Sequence, residues 1–348
     1  MEPCKLSLNS LKKTILLTGG NGYIGSHTII EILKNSDYNV IVIDNLINSN
    51  IYTIDLVKKI IYPKDYIFYE GSILDKEFLI NIFKNHNIYA VIHFAALKAV
   101  NESIQYPLKY YQNNISGTLI LLEVMENFNV KNLIFSSSAT VYGNENSPLT
   151  ENSNVGIGIT NPYGRSKYLI EEILKDLKDW NIFILRYFNP VGAHESGLIG
   201  DNPNGIPNNL MPFLLRVAKN NYYKEKIPEY EYLKIFGNDY NTRDGTCIRD
   251  FIHVVDLANA HVSCLDKFKL GINIINIGTG TGTTIMEFIN TFKNNLNINI
   301  PYKILERRNG DVMESYCNND KAVNELGWNS QKNINDICSD SWNFIIKN

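Results

Sequence analysis

The sequence predicts an α/β fold in which helices cover both faces of a doubly wound parallel sheet, together with a smaller α/β lobe. Three observations lead to this prediction. Short apolar runs alternate with longer helical patterns, a glycine-rich turn follows the first apolar run, and polar side chains come directly after several later runs. Because βαβ units build parallel sheets that bind ligands beyond the carboxyl ends of their strands, this order indicates a ligand-binding fold.

The first element is a short apolar strand that runs into the turn TGGNGYIG at residues 18–25. Gly20, Gly22 and Gly25 fit the spacing of a dinucleotide-binding fingerprint. Glycine there permits the tight turn, lets the backbone approach a pyrophosphate and lets the helix pack on the strand. A helix beginning near Tyr23 would point its free N–H groups at the phosphates. The turn therefore predicts a Rossmann-type dinucleotide site.

A second apolar strand, over residues 40–43, runs into Asp44. This is the distance from the glycine turn at which a carboxylate usually binds the ribose hydroxyls. Asp44 would repel a 2′-phosphate, and no arginine follows it. The sequence therefore predicts NAD as the cofactor rather than NADP.

The alternation of strands and helices continues through the first half of the chain. Further elements are predicted as strands over residues 90–94, 133–135 and 182–187 and as helices over residues 117–127 and 162–177. Lys98, Ser138 and Asn189 each follow one of these strands, so we expect them to share one cleft.

After Asn189 the pattern becomes irregular and rich in proline, which indicates a second lobe. We expect a dinucleotide-binding domain over residues 11–188, completed by parts of residues 250–280. Residues 189–348 would form most of the second domain. The segment 220–234, rich in Tyr, Lys and Glu, is interpreted as a surface loop.

Composition narrows the class of function. A formal net charge of −3 argues against nucleic acid or an acidic membrane as the main partner, and no apolar stretch is long enough to span a bilayer. Residues 1–13 lack a signal core, and the five cysteines are dispersed without CxxC spacing, so we expect reduced thiols and a cytoplasmic location. The six histidines show no metal-ligand spacing, so no metal site is expected.

The motif NPYGRSK at residues 161–167 places Tyr163 and Lys167 four residues apart, on one face of a helix. A phenol has a pKa of about 10 and is a weak base at neutral pH. An ammonium about 4 Å away stabilises the phenolate by roughly 4 kcal/mol at an effective dielectric constant of 20, before solvent screening. We therefore expect Lys167 and a positive nicotinamide ring to lower the pKa of Tyr163, which then accepts a proton while Ser138 binds the same reacting oxygen.

Longer strings carry a family resemblance from about residue 13 to residue 342. They include TGGNGYIGSHT, VIHFAALKAV, SSSATVYG, NPYGRSK, LRYFNPVGAH, GIPNNLMP, IFGNDY and RDFIHV. On these motifs the chain resembles the UDP-glucose 4-epimerases of the extended short-chain dehydrogenase/reductase family. The resemblance implies a NAD-dependent isomerase that interconverts UDP-glucose and UDP-galactose, and it implies a homodimer.

The resemblance also implies which residues form the site. The catalytic group would be Ser138, Tyr163 and Lys167. NAD would contact Gly19, Gly22, Tyr23, Ile24, Gly25, Asp44, Asn45, Ser72, Ile73, Phe94, Ala95, Lys98, Asn113, Tyr163, Lys167 and Tyr187. The UDP-hexose would contact Lys98, Ser138, Tyr163, Asn189, Asn208, Asn209, Leu210, Phe236, Arg249, Arg308, Asp311 and Ser315.

In the mechanism that the resemblance implies, Tyr163 takes the proton of the sugar 4-hydroxyl while hydride passes from C4 to NAD. The 4-keto sugar stays tethered through UDP, turns over, and receives the hydride on its other face.

Two single residues depart from the family pattern. Ser72 stands where an Asp usually contacts adenine, and Phe251 replaces a common Tyr. Ser315 falls where the family places a gate beside the sugar 2-substituent, and a small residue there implies that N-acetylated UDP-hexoses also fit. The next residue, Tyr316, is bulky, so this expectation depends on which of the two side chains faces the sugar.

Two alternatives remain at this stage. A nucleotide-sugar 4,6-dehydratase needs an added acid-base pair, typically Asp-Glu, directly after the active-site Ser or Thr. Ala139 and Thr140 occupy that place. A non-catalytic nucleotide-sugar sensor would not need Ser138, Tyr163 and Lys167 together, and a turnover assay distinguishes it from an enzyme.

Overall fold

The structure is a computed structural model, which describes residues 12–203, 205–308 and 310–348. Its strands are β1 (Thr14–Thr18), β2 (Asn39–Asp44), β3 (Ile67–Glu70), β4 (Ile88–His93), β5 (Asn132–Ser138), β6 (Asn181–Tyr187), β7 (Asn189–Val191), β8 (Leu233–Phe236), β9 (Ile248–Arg249), β10 (Phe251–His253), β11 (Gly271–Ile277), β12 (Thr283–Thr284), β13 (Tyr302–Leu305) and β14 (Glu314–Ser315).

The α-helices are α1 (Tyr23–Asn35), α2 (Tyr52–Ile61), α3 (Lys76–Asn85), α4 (Val100–Gln105), α5 (Pro107–Tyr111), α6 (Gly117–Asn127), α7 (Pro162–Lys175), α8 (Leu210–Tyr223), α9 (Val254–Leu265), α10 (Ile285–Leu296) and α11 (Ile334–Lys347). Among the described residues, no helix combines the length and the apolar composition needed to cross a bilayer.

Seven strands form one parallel sheet in the order β11-β6-β5-β4-β1-β2-β3. Strand β1 lies between β2 and β4, with Leu16 paired to Ile41 on one side and to Val91 on the other. The strand order reverses direction at β1, so the glycine turn that follows this strand lies at the topological switch point of the sheet. The predicted doubly wound α/β fold is confirmed.

Apolar side chains from both faces of the sheet enter two separate core clusters. Leu17 and Ile15 of β1 point into one cluster with α1 and α9, whereas Leu16 points into the other with α3, α6 and α7. Strands buried on both faces need continuous apolar runs, which is why β1 reads as such a run rather than as an alternating pattern.

The second lobe has its own core, built around α8, α10 and α11. Three small sheets border it, in the orders β10-β7, β12-β9-β14 and β13-β8. The chain nevertheless returns to the large sheet between these elements, because β11 pairs with β6 in parallel along its whole length. Helix α9, just before β11, packs its apolar residues into the same core cluster as α1.

The segment 220–234 differs from the predicted surface loop. Its first residues complete α8, and its last two begin β8. The buried Asn220 side chain organises the part between them, since it donates to the carbonyls of Ile227 and Tyr230 over 3.1 and 2.9 Å and accepts from the N–H of Ile227. A single buried amide thus replaces the backbone pairing that regular structure would supply.

Candidate active site

The glycine turn after β1 is a close-packed backbone structure. Gly19 has a φ of +66°, and a Cβ there would lie 2.7 Å from the Ala95 backbone that follows β4. A Cβ on Gly25 would lie 2.6 Å from the Cα of Gly20. The turn therefore needs glycine both for its left-handed backbone and for the close approach of α1 to β1.

The N-terminus of α1 is open. Gly22 is its N-cap residue and no side chain caps the helix. A Cβ on Gly22 would meet only the Gly19 carbonyl, at 3.3 Å, so space lies above the turn. Helix N–H groups at Tyr23 and Ile24 beside such a cradle match the chemistry of a pyrophosphate, and the residues present fit a dinucleotide.

Asp44 ends β2 directly beside this turn. Its carboxylate accepts hydrogen bonds from the Asn21 N–H at 3.1 Å, the Leu46 N–H at 2.9 Å and the Ser49 hydroxyl at 2.9 Å. Burial raises the pKa of Asp44, while these three donors act in the opposite direction. The carboxylate is thus oriented at the place where a dinucleotide ribose would lie, with the exposed Asn45 next to it.

The next predicted cofactor contacts follow β3. Ser72 is half-buried, and its hydroxyl accepts from the Leu74 N–H at 3.2 Å, which closes a local turn. Ile73 is buried in the core and lies against Gly117. Because Gly71 donates its N–H to the Asp44 carbonyl over 3.0 Å, Ser72 is held close to the end of β2.

Tyr163 and Lys167 lie in the first two turns of α7. Asn161 caps this helix through a 2.8 Å hydrogen bond from the Gly164 N–H, and Pro162 fits the first helical position. Lys167 is 3% exposed, and its ammonium donates to the Ser136 carbonyl over 2.6 Å. The helix thus fixes both side chains at the carboxyl end of β5.

The pKa values of this pair differ from the predicted pattern. Burial lowers the pKa of Lys167 to about 7, although the nearby Glu171 carboxylate opposes this change. Burial raises the pKa of Tyr163, while a hydrogen bond with Ser138 lowers it. The expected lowering of the Tyr163 pKa by Lys167 is therefore not met in the protein alone. The sequence argument omitted the burial of both groups, which disfavours both charged forms.

Thr140 is a site residue to which the sequence analysis gave no catalytic role. It lies in a 3₁₀ turn over Ala139–Tyr142, and both its N–H and its hydroxyl donate to Ser138 Oγ, over 3.2 and 3.0 Å. The signal was available, since Ser138-x-Thr140 has the spacing of a local side-chain turn.

Asn114 was also missed. It is buried in a π-helical turn over Gln112–Ser116, next to the predicted Asn113. Its amide accepts from the Leu97 N–H at 2.8 Å and donates to Ser166 Oγ over 3.0 Å. This side chain connects the loop before Lys98 to the helix of Tyr163. No sequence pattern used above identifies a π-helical turn.

Lys98 lies at the junction of the two lobes. Its ammonium is 3.8 Å from the Asp201 carboxylate and 5.8 Å from the centre of the Tyr23 ring. The Tyr23 hydroxyl donates to the Gly192 carbonyl over 2.7 Å. Tyr23, the first residue of α1, is thereby connected to the second lobe.

Tyr187, predicted to contact the cofactor, has its hydroxyl paired with His261 in the core. Phe94 packs its ring on the same histidine, with the centroids 4.8 Å apart. Both side chains are thus held against His261 of α9.

Three residues predicted to hold UDP meet at one place. The Arg308 guanidinium pairs with the Asp311 carboxylate at 2.9 Å and lies 4.6 Å from the centre of the Phe236 ring. This cation, carboxylate and aromatic face can together bind a phosphate, a ribose hydroxyl and a base.

Other predicted substrate contacts lie near the start of α8 and along β7 and β9. Asn208 and Asn209 are exposed, and α8 begins at Leu210 without a side-chain cap, which leaves its first N–H groups without a capping side chain. Asn189 begins β7, and the half-buried Arg249 ends β9.

Ser315 pairs with Arg249 across β14 and β9. The ring of Tyr316 lies against Gly282, where a Cβ would come within 2.9 Å of Tyr316 Cδ1. Because successive side chains along an extended segment point to opposite faces, Ser315 faces away from the side on which Tyr316 lies.

Four cysteines lie in the described part of the chain, and all are free: Cys247, Cys264, Cys317 and Cys338. Cys4 lies outside that part. The described residues contain no cluster of His, Cys, Asp or Glu side chains that could hold a metal ion. Phe251, the second departure from the family pattern, is buried in the core of the second lobe.

Comparison with known proteins gives consistent results. Residues 15–278 match the NAD dependent epimerase/dehydratase family. A UDP-glucose 4-epimerase of Bacillus subtilis (strain 168) is 49% identical over 341 residues, which cover 96% of this chain and 97% of the relative.

Solved structures agree with the sequence relatives. A UDP-glucose 4-epimerase from Bifidobacterium longum, in complex with NAD+ and UDP, superposes with a TM-score of 0.90 at 45% identity, covering 97% of this chain and 99% of that one. A UDP-Glc/GlcNAc 4-epimerase from Campylobacter jejuni gives a TM-score of 0.79 at 34% identity, covering 96% and 99%.

Proposed function

This chain belongs to the NAD dependent epimerase/dehydratase family, and on that premise we propose that it interconverts UDP-glucose and UDP-galactose by transient oxidation of the sugar at C4. The cofactor is NAD, which the open turn before α1 and the carboxylate of Asp44 are suited to hold. The Bacillus subtilis and Bifidobacterium longum relatives are UDP-glucose 4-epimerases, and the second was solved with NAD+ and UDP.

One observation carries the proposal. Tyr163, in the first turn of α7, and Ser138, the last residue of β5, act on each other, since Ser138 lowers the pKa of Tyr163, and β5 is the strand next to β4. The Ala95 backbone that follows β4 packs directly on the glycine turn. A sugar alcohol between the two hydroxyls and the cofactor cleft would therefore have a proton acceptor on one side and a hydride acceptor on the other.

Bound NAD supplies the hydride acceptor and donor for C4. In the chain itself, Tyr163 takes the proton of the 4-hydroxyl and returns it after the sugar has turned over. Ser138 donates a hydrogen bond to the reacting oxygen, and Lys167 presents an ammonium held by the Ser136 carbonyl. Because the pKa of Lys167 is about 7, the charge that favours a phenolate on Tyr163 is present below neutral pH and is lost above it.

The second lobe retains the keto sugar while it turns. We propose that Arg308, Asp311 and Phe236 bind the UDP group, with the N-terminus of α8 near the phosphates. Tight binding of UDP and loose binding of the hexose would let the ring present either face without leaving the protein. The first lobe, residues 12–188 with α9 and β11, would hold NAD.

The deciding experiment is to incubate the purified protein with UDP-galactose, without added reductant, and to identify the product sugar. UDP-glucose should accumulate to equilibrium, and reaction from UDP-glucose should reach the same ratio. A 4-keto-6-deoxy product would instead identify a dehydratase, and no turnover would identify a binding protein. The proposal would fail in both cases.

We also propose that the hexose site accepts a 2-acetamido group. Ser315 is small, lies beside Arg249, and is turned away from Tyr316. A serine leaves volume that a phenol ring would fill. The C. jejuni relative is named a UDP-Glc/GlcNAc 4-epimerase, which is consistent with a shared fold serving both sugars.

We further propose that two copies associate through α4 and α5. Ile104, Tyr106 and Leu108 are 57%, 58% and 80% exposed within five residues, which is unusual for large apolar side chains. These helices pack against α7, so the interface would support the catalytic helix. Light scattering should give twice the chain mass for the wild-type protein and the chain mass for Leu108→Glu.

The free, dispersed thiols of the described cysteines support the inference of a cytoplasmic, reducing location. Cell fractionation with an antibody to the protein tests it, since recovery in a secreted or membrane fraction would contradict it.

A further inference from the structure

The hydroxyl of Ser138 receives two hydrogen bonds from a single neighbour. The Thr140 N–H lies 3.2 Å from Ser138 Oγ, and the Thr140 hydroxyl donates to the same oxygen over 3.0 Å. A hydroxyl has one hydrogen to donate and two lone pairs with which to accept. With both lone pairs engaged, Ser138 has only its hydrogen left to offer.

That hydrogen is available to Tyr163. Ser138 acts on Tyr163, because its side chain lowers the pKa of Tyr163 against the burial that raises it. A hydrogen bond donated to a phenol oxygen stabilises the phenolate. The direction of the Ser138 hydroxyl therefore bears on how readily Tyr163 works as a base.

We propose that Thr140 is a positioning residue, which fixes Ser138 as a hydrogen-bond donor toward Tyr163 and the reacting sugar oxygen. This inference rests on the proposed epimerase function. Thr140 is well placed for the role because its side chain packs against the helix of Tyr163: a Cβ on Gly164 would lie 3.1 Å from Thr140 Oγ1. Its carbonyl also accepts from Gly143 N–H over 3.2 Å, which closes the 3₁₀ turn.

The other titratable groups around Tyr163 have partners of their own, which leaves Ser138 to donate a hydrogen bond to Tyr163. The Tyr110 hydroxyl of α5 lies 2.8 Å from both the Ala99 carbonyl and the Glu102 carboxylate, which share its one hydrogen. The hydroxyl of Tyr187, on β6, is paired with His261. Lys167, on the same helix, donates to the Ser136 carbonyl. Each of these groups is engaged elsewhere.

The test compares Thr140→Val, which keeps the shape and removes the hydroxyl, with Thr140→Ser, which restores it. Thr291→Val is the matched control, because Thr291 is a half-buried threonine of α10 whose hydroxyl donates to the Glu287 carbonyl over 2.9 Å. We expect Thr140→Val to lower kcat about tenfold with little change in KM for UDP-galactose. The low-pH limb of its kcat profile should move about 0.5–1 pH unit higher. Thr140→Ser and Thr291→Val should behave as wild type.

A direct titration accompanies the kinetics. With ¹³C-labelled tyrosine, the Tyr163 signal is the one absent from Tyr163→Phe, and its titration should move to higher pH in Thr140→Val. Wild-type kcat, an unmoved titration, or a loss that serine does not restore would each overturn the inference. None of these results would contradict the proposed function, which fails only if the wild-type protein does not epimerise UDP-galactose.

Discussion

Tyr163 is the residue on which the proposed chemistry depends most directly. Its hydroxyl is the only part of it that would exchange a proton with the sugar, while its ring helps to shape the cleft. Tyr163→Phe should therefore keep the fold and bind NAD, yet lose about 10²–10⁴-fold in turnover of UDP-galactose. The rate of UDP-galactose turnover checks the loss of activity, and the thermal unfolding midpoint checks that the fold is kept. Activity near that of wild type would remove Tyr163 from the mechanism.

Ser315 is the residue that sets substrate range in this proposal. Ser315→Tyr should abolish turnover of UDP-N-acetylgalactosamine, because a phenol ring and an acetamido group cannot share the same volume, and should leave the UDP-galactose reaction within a fewfold of wild type. Rates on both substrates give the comparison, with Ser315→Ala as the small control. A wild-type protein inactive on the N-acetylated pair, or unchanged selectivity in Ser315→Tyr, would contradict the gate.

Ser72 tests the adenine end of the cofactor site. Ser72 accepts from the Leu74 N–H to close its own turn, and its hydroxyl carries no charge with which to hold an adenine amine. Ser72→Asp should bind NAD more tightly, since a hydrogen bond to a charged group stabilises by roughly 1.5–3 kcal/mol. Calorimetric titration of NAD measures this, with Ser72→Asn as a control of the same size without charge. Equal affinities in all three proteins would show that the position makes no contact.

Single residues were predictable where a motif fixes a backbone. The glycine turn, Asp44 and the Tyr163–Lys167 spacing follow from rules about helix faces and phosphate cradles. In the structure Asp44 lies beside the turn, and Tyr163 and Lys167 lie in the first two turns of α7. The pKa of Tyr163 was not predictable, because burial is a property of the folded molecule. Asn114 was missed for the same reason, because its partner Ser166 is 52 residues away and comes close only on folding. Thr140 was missed although its local spacing from Ser138 was visible in the sequence.

At the level of secondary-structure elements, the close packing of α1 on β1 predicts the effect of substituting its glycines. Gly25→Ala places a methyl group 2.6 Å from the Gly20 backbone, which cannot move aside as a side chain would. We expect it to destabilise the protein by about 1–3 kcal/mol and to lose NAD binding. Gly22→Ala is the matched control, because its methyl group would meet only a carbonyl at 3.3 Å and would occupy the cradle itself.

The two alanine variants should therefore separate stability from binding. Urea unfolding should show Gly22→Ala near wild type while its NAD affinity falls, whereas Gly25→Ala should lose both. Equal unfolding midpoints for the two variants would mean that α1 tolerates displacement from β1, contrary to the packing described.

The type of each element was predictable from the hydrophobic period and the length of its segment, whereas its first and last residues were less predictable. Helix α6 begins and ends at the predicted residues, and β6 begins one residue early. Strand β5 extends three residues beyond its apolar run, through Ser136 to Ser138. Hydropathy assigns serines to loops, but pairing with β6 keeps this backbone extended. Tertiary pairing thus decided a boundary that the sequence pattern left open.

At the scale of the whole molecule, buried histidines make stability sensitive to acid. Burial and the nearby Lys167 lower the pKa of His93 to about 3, so the folded protein keeps this ring neutral between Thr18 and Thr118. An unfolded chain binds a proton there below pH 6.5. Stability therefore falls as pH drops from 6.5 toward 3, by up to about 1.4 kcal/mol per pH unit for this one group.

The prediction is tested by comparing how steeply the free energy of unfolding changes with pH in two proteins. Urea unfolding of wild type and His93→Gln at pH 7, 6 and 5 should show wild type losing stability more steeply, by up to about 2 kcal/mol over the range below pH 6.5. The comparison isolates His93 from other buried histidines such as His27, whose pKa is also about 3. Parallel slopes would show that His93 is protonated in both states or in neither.

The return of the chain to the large sheet has a consequence for modularity. Strand β6 needs β11 as its neighbour, and Tyr187 needs His261, yet both partners come from beyond the start of the second lobe. No single cut in the polypeptide can release a complete cofactor-binding half. An exchange of substrate lobes between relatives therefore requires three junctions, one at residue 188 and one on each side of residues 254–277, rather than a single junction at residue 188.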